Sequence, residues 1–436
     1  MTGERRNSVS RRRFIGGSAA AVLSTAAGAS VLASCSSDDS NRTDDTRAGD
    51  TGDGTGDGTG AVGTAARHRF PLEGAHQIGI TTPAQEHAIV AAFDSVAPDT
   101  AALQAMFRTL TTTVRDLLAG TPAPDLDPLL PPADNLIVGV EPAADDVTIT
   151  VGVGASLFDD RYGLGAVKPK QLVKMPTFPN DKPDVNRLHG DLVIQICAGT
   201  PEMCNHVLRR VMRATRDSLV VKWLMPGFNT PNKLGPGRAT GRNMLGFKDG
   251  TANLNSGDDA LMEDLVWVSA GADEPAWTAG GTYQVVRLIR NRVEFWDRTA
   301  LRTQETIIGR TKATGAPLGM KDEADLPDFS TDPEGKAFRL DGHIRLANPR
   351  TAATERNLLL RRGFNYANGF TKDGHLDQGL LFVCFQRSLA DGFIAVQERL
   401  NGEALEEYIT PIGGGFFFVP AGRRAAGEPF AATLFG

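Results

Sequence analysis

Leu192-Val193-Ile194-Gln195-Ile196-Cys197-Ala198 is an apolar run of strand length, and a helical pattern over Val207–Ser218 and a second run over Ser218–Leu224 follow it. β-branched residues dominate the first run, and turn residues bound it, which marks a buried strand. The same succession precedes it. Ala88-Ile89-Val90-Ala91-Ala92-Phe93 suits a strand. Thr100–Leu118 carries Leu103, Met106, Phe107, Leu110, Val114 and Leu117 at helical spacing behind a capping Asp99. Val147–Gly154 alternates as a strand. Strand–helix–strand twice over is the ferredoxin-like order. Phe70–Thr82 reads as a lead-in segment and a first strand.

A second round of the pattern follows Pro226-Gly227-Phe228. Tyr283–Arg290, Gly379–Phe385 and Gly413–Val419 read as strands, with helical stretches opening at Val293 and spanning Ile394–Leu400. The expected architecture is therefore α+β, two ferredoxin-like domains over residues 67–226 and 227–436, with antiparallel sheets and peripheral helices.

The 436 residues are 41 % hydrophobic with a net charge of −6, enough for two cores and unlike a general nucleic-acid binder. Basic residues instead gather at the N-terminus. Arg11-Arg12-Arg13-Phe14 precedes an alanine-rich apolar stretch to Ala33, so residues 1–35 read as a twin-arginine export signal. Leu32-Ala33-Ser34-Cys35 has the form of a lipobox, which makes Cys35 a candidate lipid anchor; ordinary cleavage nearby is the other reading. Residues 36–66 are Asp, Gly, Thr and Ser almost throughout and read as a disordered linker. Cys197 and Cys384 lie in apolar runs and read as small core residues, and the four cysteines show no zinc spacing.

The chemistry gathers in three places. Gly246-Phe247-Lys248-Asp249-Gly250-Thr251-Ala252-Asn253 sets an aspartate among glycines that let backbone approach a flat ligand. His343 stands alone in Asp341-Gly342-His343-Ile344-Arg345-Leu346-Ala347-Asn348-Pro349-Arg350. Leu360-Arg361-Arg362-Gly363 follows. Without further context, Asp249 is a turn residue, His343 a satisfied histidine and the arginines a basic turn.

These segments, with Leu157–Leu164, Trp296-Asp297-Arg298-Thr299 and Asn401-Gly402-Glu403, resemble the dye-decolorizing peroxidase family. The exported subgroup linked to iron-uptake operons is the nearest in kind. The resemblance implies one haem b per chain, in the C-terminal half, with His343 as the proximal iron ligand. It implies Asp249 as the distal acid–base residue and Arg361, rather than Arg362, as the cation that stabilises charge on the departing oxygen. Arg310 and Arg350 are implied for the haem carboxylates, with Arg345 a competitor. Asn348 and Pro349 fall at the ring edge and Gly250, Thr251 and Ala252 beside the distal face. The acid expected to support His343 aligns with Ala390, with Asp391 one place off and Asp377 a further candidate.

The activity implied is reduction of hydrogen peroxide coupled to one-electron oxidation of phenols or dyes. The alternative is release of iron from haem. Implied partners are hydrogen peroxide and small aromatic reductants. Iron-uptake components, a lipid anchor and a second copy of the chain are further candidates. The expected location is the outer face of the cytoplasmic membrane, the periplasm or the exterior.

Overall fold

The computed structural model describes residues 67–124, 127–230, 241–423 and 425–435. The export signal, Cys35 and the whole linker lie outside them.

In the N-terminal half, β1 (His87–Ser95), α1 (Thr100–Ala119), β2 (Thr148–Gly154), β3 (Leu192–Ala198), α2 (Pro201–Ala214) and β4 (Leu219–Phe228) pair in the order β2-β3-β1-β4. The first helix starts where its sequence says it should. Asp99 accepts from the Ala102 amide, and Gly120, at φ 64°, ends the helix in the left-handed conformation. The second starts six residues before the expected Val207. Thr200 caps it and Pro201 occupies its first turn, a start signal that the apolar spacing alone does not reveal.

In the C-terminal half, α3 (Asp259–Leu265) precedes β5 (Thr282–Asn291), α4 (Val293–Trp296), α5 (Leu301–Ile308), α6 (His343–Ala347), β6 (Leu360–Arg361), β7 (Phe364–Phe370), β8 (Leu376–Gln386), α7 (Ala395–Leu400) and β9 (Ile409–Val419). Four of these strands pair as β9-β5-β8-β7, the order of the first half repeated. Strand β7 is absent from the sequence reading because Asn365, Asn368 and Gly369 break its apolar pattern. Phe70–Thr82 forms no strand of its own. Its only ladder contact is an isolated bridge from Glu73 to Arg423, and Gln77 bonds the Val151 and Pro420 carbonyls through its side chain.

The two halves join edge to edge. β2 pairs with β9 at Val153–Phe418 and Gly154–Phe417, and β4 with β7 at Phe228–Asn365. With β5 also on β8, the strands close into an antiparallel barrel. Alternation then gives each strand an inner and an outer face. Val90, Val193, Val286, Leu288, Leu381, Val383 and Phe417 pack into one buried cluster. Ile89, Ala91, Phe93, Ile149, Val151 and Ile194 face the other way, against Leu103, Phe107, Leu110 and Val114 of α1 and Met203, Val207 and Val211 of α2. The corresponding outer positions of the second half, Arg287, Ile289, Leu380 and Phe382, have no such helical cover; they line a cavity.

Candidate active site

That cavity has a volume of about 270 Å³ and includes Asp249, Gly250, Thr251, Ala252, Arg310, His343, Asn348, Arg350 and Arg361 in its wall. The structure thus brings together every residue that the resemblance assigned to the haem site except Pro349, which does not reach the wall; the competing candidates Arg345, Arg362, Asp377 and Asp391 lie outside it. Arg350, which follows Pro349, turns at φ 59°.

His343 opens α6. Its Nδ1 lies 2.7 Å from Glu403 Oε2, and Glu403 is only 4 % exposed at its side chain. A carboxylate accepts, so Nδ1 carries the hydrogen and Nε2 keeps a lone pair with no hydrogen-bond partner among the described residues. Burial pushes the imidazole pKa down, but the charge and hydrogen bond of Glu403 outweigh it and the net shift is upward. The supporting acid is therefore Glu403, not the residues around position 390. Ala390 has no carboxylate. Asp391 bonds Ser388 at the surface, and Asp377 faces Tyr366 and Asn368. Asn401-Gly402-Glu403 was already visible as a distinctive stretch; the glycine turn at Gly402, φ 81°, is what brings the acid back under α6.

Asp249 sits in a loop pinned by its own amide to the Gly241 carbonyl at 3.0 Å. Arg361 donates from Nη1 to Asp249 Oδ1 at 2.9 Å, and both side chains are about a third exposed, 31 % and 30 %. Asn253 supplies the link that sequence reading missed. Its side chain donates to the Arg361 carbonyl and accepts from the Arg361 amide, both at 2.8 Å. A side-chain amide thereby copies a β-ladder rung and fixes the arginine against the aspartate loop. Both residues act electrostatically on His343, the aspartate raising its pKa and the arginine lowering it.

The choice between neighbouring arginines follows from strand alternation. Arg361 points outward into the cavity. Arg362 is buried on the other side, where it donates to the carbonyls of Thr82 and Pro83 and to Gln85. Arg345 is likewise committed elsewhere, to Asp332 and the Phe338 carbonyl.

Arg350 is the opposite case. Its buried Nε has no partner, no described residue accepts from its guanidinium, and burial lowers its pKa without compensation. Arg310 is buried too; after burial, the charges of Arg350 and Arg361 depress its pKa, against the pull of Glu323. It donates through Nη1 to the Gly315 and Glu323 carbonyls. Four arginines, Arg287, Arg310, Arg350 and Arg361, therefore share one mostly apolar cavity with three acids; Arg287 is paired with Asp181, and Asp249 and Glu403 are engaged by Arg361 and His343. Such a cavity fits an apolar anion.

The donor set narrows the metal. Among the described residues no group of three or more His, Cys, Asp or Glu is placed to hold an ion. A single free imidazole nitrogen suits iron already held by its own macrocycle. A macrocycle with carboxylates would also engage the uncommitted Arg350. The residues fit haem.

His76 stacks on Trp267 at 3.7 Å, His206 bonds Asn135 and His189 adopts φ 56° in a turn, and none of them lines the cavity. Trp296 and Tyr283 are fully buried.

The comparisons with known proteins agree with this geometry. The profiles described as Dyp-type peroxidase, N-terminal and Dyp-type peroxidase, C-terminal match residues 77–229 and 240–424. A deferrochelatase of Escherichia coli K12 is 52 % identical over 372 residues, 85 % of this chain and 88 % of that protein. Ferric DtpA from Streptomyces lividans superposes with a TM-score of 0.75 at 35 % identity, covering 85 % of this chain and 98 % of that one. A DyP-type peroxidase from Cellulomonas bogoriensis gives the same score at 33 % identity, over 84 % and 98 %. With both domains matched and the acid, arginine and supported histidine gathered at one cavity, the chain belongs to the Dyp-type peroxidase family.

Proposed function

We propose that the protein binds haem b in the C-terminal cavity and works as a peroxidase, reducing hydrogen peroxide and oxidising phenolic or dye-like substrates one electron at a time. The observation that carries this is the Asp249–Arg361 pair at 2.9 Å in the same cavity as a histidine whose Nδ1 is held by Glu403. Haem supplies the redox chemistry when bound. The protein's own work is to hold and to move protons. His343 binds the iron through Nε2, and the Glu403 hydrogen bond fixes its tautomer and makes it a stronger donor. Asp249 takes the peroxide proton from one oxygen and returns it to the other, so the departing oxygen leaves as water. Arg361 provides fixed positive charge beside that oxygen and needs no rearrangement to do so. Arg310 and Arg350 attract the carboxylates.

The relatives named as deferrochelatases support a second reading, recovery of iron from haem. One experiment separates the two. Absorption spectra of the purified, haem-loaded protein are followed while hydrogen peroxide and a dye are added. Many turnovers with a persistent Soret band support the peroxidase. Iron released one for one, leaving free protoporphyrin, supports the alternative, and no Soret band at all removes both.

We further propose export by the twin-arginine route, with Cys35 as a lipid anchor on the outer face of the cytoplasmic membrane. The support is Arg11-Arg12-Arg13-Phe14 and Leu32-Ala33-Ser34-Cys35. Lys at positions 11 and 12 is expected to leave folded protein in the cytoplasm, and Cys35→Ser to free it from the membrane fraction. Normal export of the first variant contradicts the route.

A further inference from the structure

The helix that carries His343 has little reason of its own to stand where it does. α6 has five residues, no side-chain cap and no fully buried residue. A helix this short is unstable alone. Ile344 touches Gly309 at the end of α5, where an added Cβ would come within 2.6 Å of it. Arg345, mid-helix, donates to Asp332 and to the Phe338 carbonyl, and the ties at the two ends come from one short segment. Glu403 holds His343 at the start of α6. The Ala404 amide donates to the Asp341 carbonyl at 3.2 Å. Arg399 takes the other end, donating from Nε to the Leu346 carbonyl at 3.0 Å and from Nη2 to the Ala347 carbonyl at 3.3 Å.

Arg399 is half-buried and has no carboxylate partner among the described residues; burial lowers its pKa. All three of its acceptors are neutral. The third, Asn357 Oδ1 at 2.8 Å, belongs to the turn before β6, and Asn357 in turn donates to the Asp391 carbonyl. A partly desolvated cation kept without a counter-ion is costly unless its hydrogen bonds do something an apolar side chain cannot. Here they satisfy carbonyls at the negative end of α6, which its short length leaves free.

We propose that Arg399 is a positioning residue: together with Glu403, four residues on, it grips α6 at both ends and so sets the direction in which His343 Nε2 meets the haem iron. The planar guanidinium suits this, because two nitrogens in a fixed fork define an orientation as well as a distance. Glu403 holds the start of α6 and Arg345 its middle; Arg399 is what holds its last two carbonyls and so fixes the tilt of the helix end. The proposal rests on the reading of His343 as the iron ligand.

The test uses the haem-loaded protein with Arg399→Met, Arg399→Lys and His343→Ala. Two readouts are taken: the iron–histidine stretch of the ferrous protein by resonance Raman, and the rate of haem transfer to excess apomyoglobin. Arg399→Met is expected to broaden or split the stretch and to speed haem transfer roughly tenfold, the lower end of what loss of an outer-sphere partner costs. Arg399→Lys, which keeps the charge and loses the fork, is expected to fall between, and it serves alone if the methionine variant does not fold. A wild-type stretch and transfer rate in whichever variant folds overturns the proposal, even if that variant melts at a lower temperature, since a purely structural arginine would do no more. His343→Ala separates this from the underlying reading. If it keeps full haem and an unchanged spectrum, the ligand assignment itself is wrong.

Discussion

At the scale of single residues, Asp249 and Arg361 face one another at 2.9 Å in the wall of the cavity that also carries His343. Glu403 and Asn253 act through contacts 60 and 108 residues away in the chain, and no local pattern encodes such a partner. The Asp249–Arg361 pair makes a direct prediction. Asp249→Asn keeps its shape and its place beside Arg361 but cannot carry a proton. It should retain haem and slow the reaction with peroxide by roughly 10²–10⁴-fold. Arg361→Leu removes fixed charge and leaves Asp249 without its partner, with an expected loss of about 10²–10³-fold. Stopped-flow spectra with peroxide measure both. Wild-type rates in both variants would leave Asp249 a turn residue and Arg361 a structural cation.

At the scale of elements, the long helices and every long strand but β7 were legible because each has a buried face with one period. Short pieces were not. α6 and β6, which carry His343 and Arg361, have five and two residues and no period to read. Helix starts depend on caps, and Thr200 shows what one is worth. Its hydroxyl accepts from the Met203 amide at 3.3 Å and donates to Asp145 at 2.7 Å. Thr200→Ala loses both bonds and is expected to cost about 1–2 kcal/mol in urea unfolding, without changing haem content. The cavity lies across the barrel wall from the inner core, so stability and haem binding should separate there.

At the scale of the whole molecule, the duplication is legible only as order, since the two halves share a topology and no visible residue pattern. What the sequence does not show is how narrowly they are joined. The β2–β9 seam has two paired positions, one of them Gly154. A Cβ at Gly154 would lie 1.9 Å from the Gly190 carbonyl oxygen. Gly154→Ala must therefore move backbone at the seam, with an expected loss of about 1–3 kcal/mol in denaturant unfolding. Acid should weaken the fold as well. Burial holds the pKa of His206 below its ordinary 6.5, with Arg210 adding to that and Asp134 opposing it. For His189, burial and then Lys174 and Lys222 act in the same direction. Between each lowered value and 6.5 the unfolded chain binds a proton that the folded chain refuses. This contribution is complete above pH 6.5 and is lost as pH falls through the folded values. Urea midpoints at pH 7.5 and about 5.5 should therefore fall less in His189→Gln and His206→Gln than in the parent, and an equal fall in all three would remove these residues as the cause.

Arg361 and Arg362 look like spares for one another, yet adjacent places on a strand make them opposites. One faces the cavity and the other is embedded between the Thr82–Gln85 turn and the barrel. A single-residue deletion or insertion just before them would exchange their faces, leaving Asp249 without its cation and a second arginine without its carbonyls. Drift in length is thus forbidden in the stretch from Asn357 to Phe364, whereas conservative substitution is tolerated there. Among natural variants of this protein, that interval should differ in letters but never in number.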